Sequence, residues 1–438
     1  MTVSDTTEQC QTADTEGTRA DPGRSRRDVL AGVGVAITGS LAGCGGVTGS
    51  TSSDETITVG ILEDRSGNFG AVGTPKWKAS KLAVEEINND GGIMGRQVEV
   101  VDPDPQSDDT RYQSLTREVI TEDDIDALWA GYASSSREAI RPIINDFEQL
   151  YFYTTQYEGG VCDRYTFPVG ATPRQQLGIV LPHLIENVGS QIYTIAADYN
   201  FGSISAEWVR TLAAENGAEV ISEEFVPVGQ QEFGGLLDRI ERADPDFILS
   251  LLVGVNHENF YTQKAARGLE TPIGTSSAMA PGYEHRKLEP PAMANVYAGV
   301  NYMEEIPDDR NEGFVDRFYE TYPEATYINQ GAQNNYFSIY LYKQAVEAAG
   351  TTDQAAVIDE LESGMEIAAP EGDITLDGAT HHVNHNMRIA KAETNHDISF
   401  VDERQIDETF LSETVACDLR ETPETRQYVP EYYFRGDE

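Results

Sequence analysis

Three places in the chain gather hydroxyls, carboxamides and aromatic rings just where an apolar run stops. Gly131-Tyr132-Ala133 leads into Ser134-Ser135-Ser136, and Tyr153-Thr154 into Thr155-Gln156-Tyr157-Glu158. Ala197 leads into Asp198-Tyr199-Asn200-Phe201. Ser134 falls where a helix N-cap belongs, so its hydroxyl and the first backbone N–H groups can meet a ligand oxygen, although capping alone accounts for one serine. Capping does not account for Tyr132, Tyr153, Tyr157, Tyr199 and Phe201 at the mouths of different strands. A crevice walled by rings, with hydroxyls and amides as its polar groups, suits a small, neutral, planar molecule. These stretches hold no lysine, and the nearest arginine, Arg137, is a helix residue, so a phosphate or large polyanion does not fit. Asn256, just past the apolar run that ends near Gly254, joins the expected ligand set.

Other chemistries lack their parts. No G-x-S-x-G elbow or suitable histidine context accompanies the serines, so no nucleophile–base pair can be named and the chain reads as a binder, not an enzyme. The glycines of Asp64–Gly73 lack the P-loop lysine and the dinucleotide spacing, and no cofactor is expected. His381 and His385 stand one helical turn apart with His382 between them. Gly378, Val383 and Asn384 point to a turn or strand there, so no metal site is read. Asp102, Asp104, Asp108 and Asp109 read as a solvated acidic loop without the regular oxygen pattern and turn glycine of a calcium loop.

The elements that must position these residues alternate. Strands are expected at Ile57–Leu62, Gln97–Val101, Asp126–Gly131, Tyr151–Thr154, Gln191–Ala197, Glu219–Val226 and Phe247–Val253. Helices are expected at Pro75–Asn89, Asp108–Thr121, Ser136–Gln149, Ser203–Asn216, Phe233–Ala243 and Glu258–Arg267. Repeated β-α-β units of this length imply parallel sheets covered by helices on both faces, with ligands beyond the carboxyl ends of the strands.

The leader carries an address. Ser25-Arg26-Arg27 precedes the apolar run Val29–Leu41, which falls short of the roughly 20 residues a spanning helix needs. Twin arginines ahead of such a run are an export signal. The closing Leu41-Ala42-Gly43-Cys44 resembles a lipobox, in which Cys44 is lipidated and becomes the first residue of the mature chain. Residues 1–43 are thus the expected signal peptide and 44–55 a flexible linker, leaving the protein extracytoplasmic and tethered to the outer face of the membrane. Of four cysteines, Cys10 and Cys44 belong to this region, which leaves Cys162 and Cys417 as an expected disulfide, two buried free thiols being the alternative. The net charge is −43 at pH 7 while 39% of residues are hydrophobic. That pairing fits a folded halophile protein in molar salt, where the Debye length is about 3 Å. It excludes nucleic acid as a partner, since no basic stripe exists to meet phosphates.

TVGILEDRSGNFGAVG, the helix ending EEINNDGGIMGRQVEV, ASSSREAI and FYTTQYEG together resemble the type I extracytoplasmic solute-binding proteins of ABC transporters, the group containing leucine/isoleucine/valine receptors. The tyrosine-serine strand end, the YxxxYEG turn, GATPRQQ (170–176), the Asp198-to-Phe201 step and APEG (Ala369–Gly372) are similar to the urea- and short-chain-amide-binding branch. The resemblance spans about residues 55–400. It implies an α/β fold of two doubly wound parallel-sheet lobes joined by a multi-strand hinge. Lobe one would be 56–172 with 301–372, and lobe two 173–300 with 373–438. It further implies that Tyr132, Ser134, Tyr153 and Thr155 face the ligand from one lobe and Tyr199 from the other. Ser134 and Thr155 stand where amino-acid receptors hold the ligand carboxylate. Gly202 departs from the proline usual in amide binders, and Val255-Asn256 from the small polar or acidic pair of this group. The implied role is capture of urea or a short-chain amide for an ABC permease and its ATPase. A branched-chain or other amino acid is the alternative solute, and a ligand-sensing receptor of the same fold the alternative role.

Overall fold

The computed structural model describes residues 56–406, 410–421 and 425–430. The leader, Cys44 and most of the linker lie outside the described residues.

The first run of elements is β1 (Ile57–Leu62), α1 (Gly70–Asn89), β2 (Val98–Val101), α2 (Asp109–Thr121), β3 (Ala127–Ala130), α3 (Ser134–Phe147), β4 (Tyr151–Tyr153), β5 (Val161–Asp163) and β6 (Thr166–Pro168). It builds a sheet of order β2-β1-β3-β4-β6 in which every pairing is parallel. The second run is α4 (Pro173–Asn187), β7 (Gln191–Ala197), α5 (Asn200–Glu215), β8 (Glu219–Val226), α6 (Gly234–Ala243), β9 (Phe247–Leu251), α7 (Val255–Ala266), β10 (Ile273–Thr275), α8 (Glu284–Lys287) and β11 (Val296–Val300). Then come α9 (Asp309–Thr321), α10 (Gln330–Ala349), α11 (Gln354–Glu362), β12 (Met365–Ala369), β13 (Gly372–Leu376) and β14 (Val383–Asn384). The chain closes with β15 (Asn386–Ala392), β16 (Ile398–Gln405), α12 (Phe410–Thr414) and β17 (Thr425–Gln427). The second sheet runs β16-β15-β11-β10-β9-β7-β8, parallel except where β15 and β16 join antiparallel.

Central strands such as Ala127–Ala130 and Phe247–Leu251 are buried at every position, as strands covered on both faces must be. Each sheet carries an apolar cluster on either side. On the first sheet, Val59, Trp129 and Phe152 pack with Leu82, Phe314, Phe337 and Leu361, while Leu62 and Leu128 pack with Tyr112 and Ile140 on the other face. On the second, Ile192 and Leu249 pack with Leu177 and Val209, and Ile195 and Ile248 with Leu237 and Phe260. This is the doubly wound parallel architecture expected, arranged as two lobes.

Three observations refine the organisation. Ile374, Leu376 and Val383 belong to the first sheet's cluster, so the boundary drawn at 372/373 falls inside the β12–β13 hairpin. The tail stays with the second sheet through β15, β16 and the packing of Leu411 and Leu419, while β17 pairs antiparallel with β5 and Arg141 of α3 donates to the Thr425 carbonyl at 2.7 Å. GATPRQQ is a joint. Thr172 and Gln175 form a capping box at the start of α4, with Pro173 just inside it. The Gln175 amide then reaches the Val383 carbonyl at 2.7 Å, and Gln176 donates to the carbonyls of Ser276 and Gly299.

Helices α1, α3, α5 and α7 begin two to five residues before the positions expected from the sequence. Two glycines permit this. A Cβ on Gly73 would lie 2.1 Å from the Asp64 carbonyl oxygen, and one on Gly202 would lie 1.8 Å from that of Ala197. Gly202 is therefore a packing requirement: the first turn of α5 presses on the end of β7 as α1 presses on β1.

The histidines divide among separate partners. The His381 ring stacks on Phe167 at 3.9 Å, and His385 sits 2.7 Å from a Glu371 oxygen and 3.0 Å from the Val169 carbonyl. His382 takes the Tyr157 hydroxyl at Nε2 and donates from Nδ1 to the Thr380 carbonyl at 2.8 Å, the pattern of a neutral ring. Burial pushes His382 down to about 3. An unfolded histidine takes up its proton below about pH 6.5, so between there and about 3 the unfolded chain binds the extra proton and stability falls as pH falls. Denaturant midpoints at pH 7 and pH 4 are expected to show this loss, and His382→Gln to shrink it. An equal loss in the variant would assign it to other groups.

Candidate functional site

The first lobe's strand ends are held by a buried ammonium. Lys76 of α1 puts Nζ 2.8 Å from Glu63, 2.8 Å from the Gly131 carbonyl and 3.0 Å from Thr155 Oγ1, with both charged side chains fully buried. Thr155 in turn donates to Gly131 at 3.2 Å. Its hydroxyl thus accepts from a lysine and donates to a carbonyl, fixing the ends of β3 and β4 relative to each other.

A second buried charge lies beneath the serine. Ser134 is not an N-cap: Ala133 holds that position and Ser134 is the first helical residue of α3. Its hydroxyl donates to Glu158, which also receives Arg137 Nη2 at 2.5 Å and Gln427 Nε2 at 2.7 Å. Asn200 of α5 stands 3.5 Å away. Burial alone would raise the Glu158 carboxyl, but the Arg137 guanidinium and these hydrogen bonds reverse that and hold it below the usual glutamate value. Arg137 is itself sandwiched, 5.0 Å from the Tyr153 ring and 4.8 Å from that of Tyr157.

Rings converge above this floor. Tyr132, half-buried, lies 5.0 Å from Phe69, and its carbonyl accepts the Tyr153 hydroxyl at 2.8 Å. Tyr199 caps α5 without a side-chain bond and is half-buried. Burial, followed by the nearby Tyr132, Tyr153 and Glu158, holds its phenol far above the ordinary value. The neighbouring Asn200 gives this turn its direct link to the first lobe, its amide standing 3.5 Å from the Glu158 carboxylate that Ser134 also bonds. The lobes approach elsewhere too, since a Cβ on Gly254 would sit 4.0 Å from the Phe69 ring.

Three expected residues have partners within the fold. Tyr157 is buried, with its hydroxyl between His382 and the Val161 N–H. Phe201 lies in the apolar cluster behind α5. Asn256 is fully buried and bonds the Gly229 N–H at 2.7 Å and the Pro227 carbonyl at 2.9 Å, pinning the loop after β8. An amide in a first helical turn satisfies backbone as readily as ligand, and here the loop takes it.

Phe69 was missed, although an aromatic between glycines just after a strand was a usable signal. The acidic loop holds it. Asp104 accepts from the Arg65 N–H at 3.1 Å and the Ser66 hydroxyl at 2.7 Å, and Ser107 Oγ accepts the Phe69 N–H at 3.0 Å. Cys162 of β5 and Cys417 are joined as a disulfide, with Cα atoms 6.4 Å apart. Among the described residues no group of three or more His, Cys, Asp or Glu is placed to hold a metal, and no helix is long and apolar enough to cross a membrane.

Two doubly wound lobes with this strand order make the type I periplasmic binding fold. The profile described as periplasmic binding protein matches residues 56–397, and the chain belongs to that family. It is 20% identical over 357 residues to Leu/Ile/Val-binding protein homolog 6 of Brucella abortus, covering 78% of this chain and 90% of that one. With the Leu/Ile/Val-binding protein of Escherichia coli K12 it shares 24% identity over 213 residues, 48% of this chain and 58% of the relative. Its fold is similar to that of an ABC-transporter solute binding protein from Rhodopseudomonas palustris BisB5, solved with 3,4-dihydroxybenzoic acid. The TM-score is 0.72 at 20% identity, over 80% of this chain and 97% of that one. It is also similar to a branched-chain amino acid transporter substrate binding protein from Streptococcus pneumoniae, solved with isoleucine. There the TM-score is 0.68 at 20% identity, over 80% and 99% of the two chains. The family binds solutes and performs no catalysis on them.

Proposed function

We propose that this protein captures urea or a short-chain amide between Tyr132, Ser134 and Tyr153 on one wall and Tyr199 on the other. It then presents the closed form to an ABC permease driven by a separate ATPase, while Cys44 carries the lipid that keeps it at the outer face of the membrane. The observation that carries this reading is the direction of the Ser134 hydrogen bond. Its proton goes to Glu158, so its oxygen has only acceptor capacity left for a ligand, and Thr155 is committed to Lys76 and Gly131. The two hydroxyls that would donate to an amino acid's carboxylate are therefore engaged, whereas a ligand N–H finds an acceptor. The names of the relatives favour an amino acid instead.

A thermal-shift panel of urea, formamide, acetamide, leucine and benzoate in molar salt separates the two. Stabilisation by the amides supports the reading, and stabilisation by leucine with no amide response sinks it. Closure requires contacts to both lobes, because a ligand touching one alone does not shift the open–closed balance. Tyr199→Ala is therefore expected to weaken binding of the solute so identified by about 10-fold or more, since loss of a pocket tyrosine costs on the order of 1–3 kcal/mol. Its melting temperature should stay within a few degrees of wild type. Unchanged affinity would remove Tyr199 from the site.

A further inference from the structure

Gln330 opens α10 and is fully buried, yet neither its amide nitrogen nor its amide oxygen has a partner among the described residues. Most buried side-chain polar atoms find one, and leaving such an atom unpaired costs about 1–3 kcal/mol. The backbone around Gln330 is, by contrast, fastened on three sides. Its own N–H donates to the Ala280 carbonyl of the second lobe at 3.1 Å. Asn329 caps α10 through the Ala332 N–H at 2.8 Å and donates to the Val72 carbonyl in the first turn of α1 at 2.9 Å. A Cβ on Gly331 would lie 3.1 Å from the Lys76 side chain, whose Nζ holds Gly131 and Thr155 at the ligand-facing strand ends. The backbone that carries this unpartnered amide is thus fixed where α1, the Lys76 frame and the second lobe meet.

We propose that Gln330 is a specificity-determining residue. Its carboxamide forms a paired hydrogen bond with the solute's own amide, Nε2–H to the solute carbonyl and solute N–H to Oε1. This rests on the amide reading above and adds to it the group that recognises both halves of the amide. One donor beside one acceptor is complemented by an amide or urea. A carboxylate would set an oxygen against Oε1, and an ammonium would leave Nε2 unmatched.

The test is calorimetric titration of wild type, Gln330→Met and Gln330→Leu with acetamide and with urea, alongside melting of each ligand-free protein. Affinity for both solutes is expected to fall about tenfold or more. The ligand-free melting temperature should hold or rise, because a buried unpaired amide has been replaced by an apolar side chain; a residue serving the fold would lower it. Two folded variants that bind acetamide as well as wild type does would overturn the assignment while leaving the amide reading intact. Wild type that binds neither acetamide nor urea would overturn both.

Discussion

Replacing Arg137 with methionine is expected to destabilise the protein by about 3–5 kcal/mol, because it leaves the Glu158 carboxylate buried without its cation. Both side chains are fully buried, and the pair stands under Ser134 with Tyr153 and Tyr157 on either side of the guanidinium. Urea denaturation at neutral pH measures the loss. Two further results are specific to a stranded charge. Adding Glu158→Gln to the variant should restore much of the stability, since a neutral amide is cheaper to bury. The single variant should also narrow its deficit as the pH is lowered, because burial, the largest influence on the Glu158 carboxyl, is then opposed only by the Ser134 and Gln427 hydrogen bonds. A deficit that neither the second substitution nor acid relieves would mean that lost ring packing, not charge, is responsible.

The second large effect is expected at Cys162 and Cys417, which are 255 residues apart in the chain and bonded in the structure. Changing both to alanine frees the unfolded chain from a long closed loop and is expected to cost roughly 2–4 kcal/mol. Comparing the melting of wild type with and without reductant, beside the double variant, checks this. Reductant should bring wild type down to the level of the double variant and leave the variant unmoved. If reductant leaves wild type unchanged, the bond contributes nothing to stability.

The fold was legible because continuous runs such as Phe247–Leu251 and amphipathic runs such as that of α2 differ in period. The helix starts were not. Asn200, Gly202 and Ser134-Ser135 are polar or small residues that look like loop, yet they are helical because Gly202 lets α5 abut β7 and because Glu158 takes the Ser134 hydroxyl. The rings at the strand ends were equally visible, but which of them face the cleft depends on partners far along the chain. Tyr157 is turned inward by His382, and Asn256 by a loop that only the fold brings to it. Gln330 was invisible for the opposite reason: nothing about a glutamine in a polar run announces that it will be buried without a partner.

The pairing of β17 with β5 has a consequence for how the molecule is made. The strand that covers the edge of Val161–Asp163 comes from residues 425–427, so during synthesis that edge waits bare until those residues have left the ribosome. An uncovered strand edge is a template for a neighbouring chain. The short length of β5, three residues, limits how much another molecule could latch on before the tail arrives to seal it.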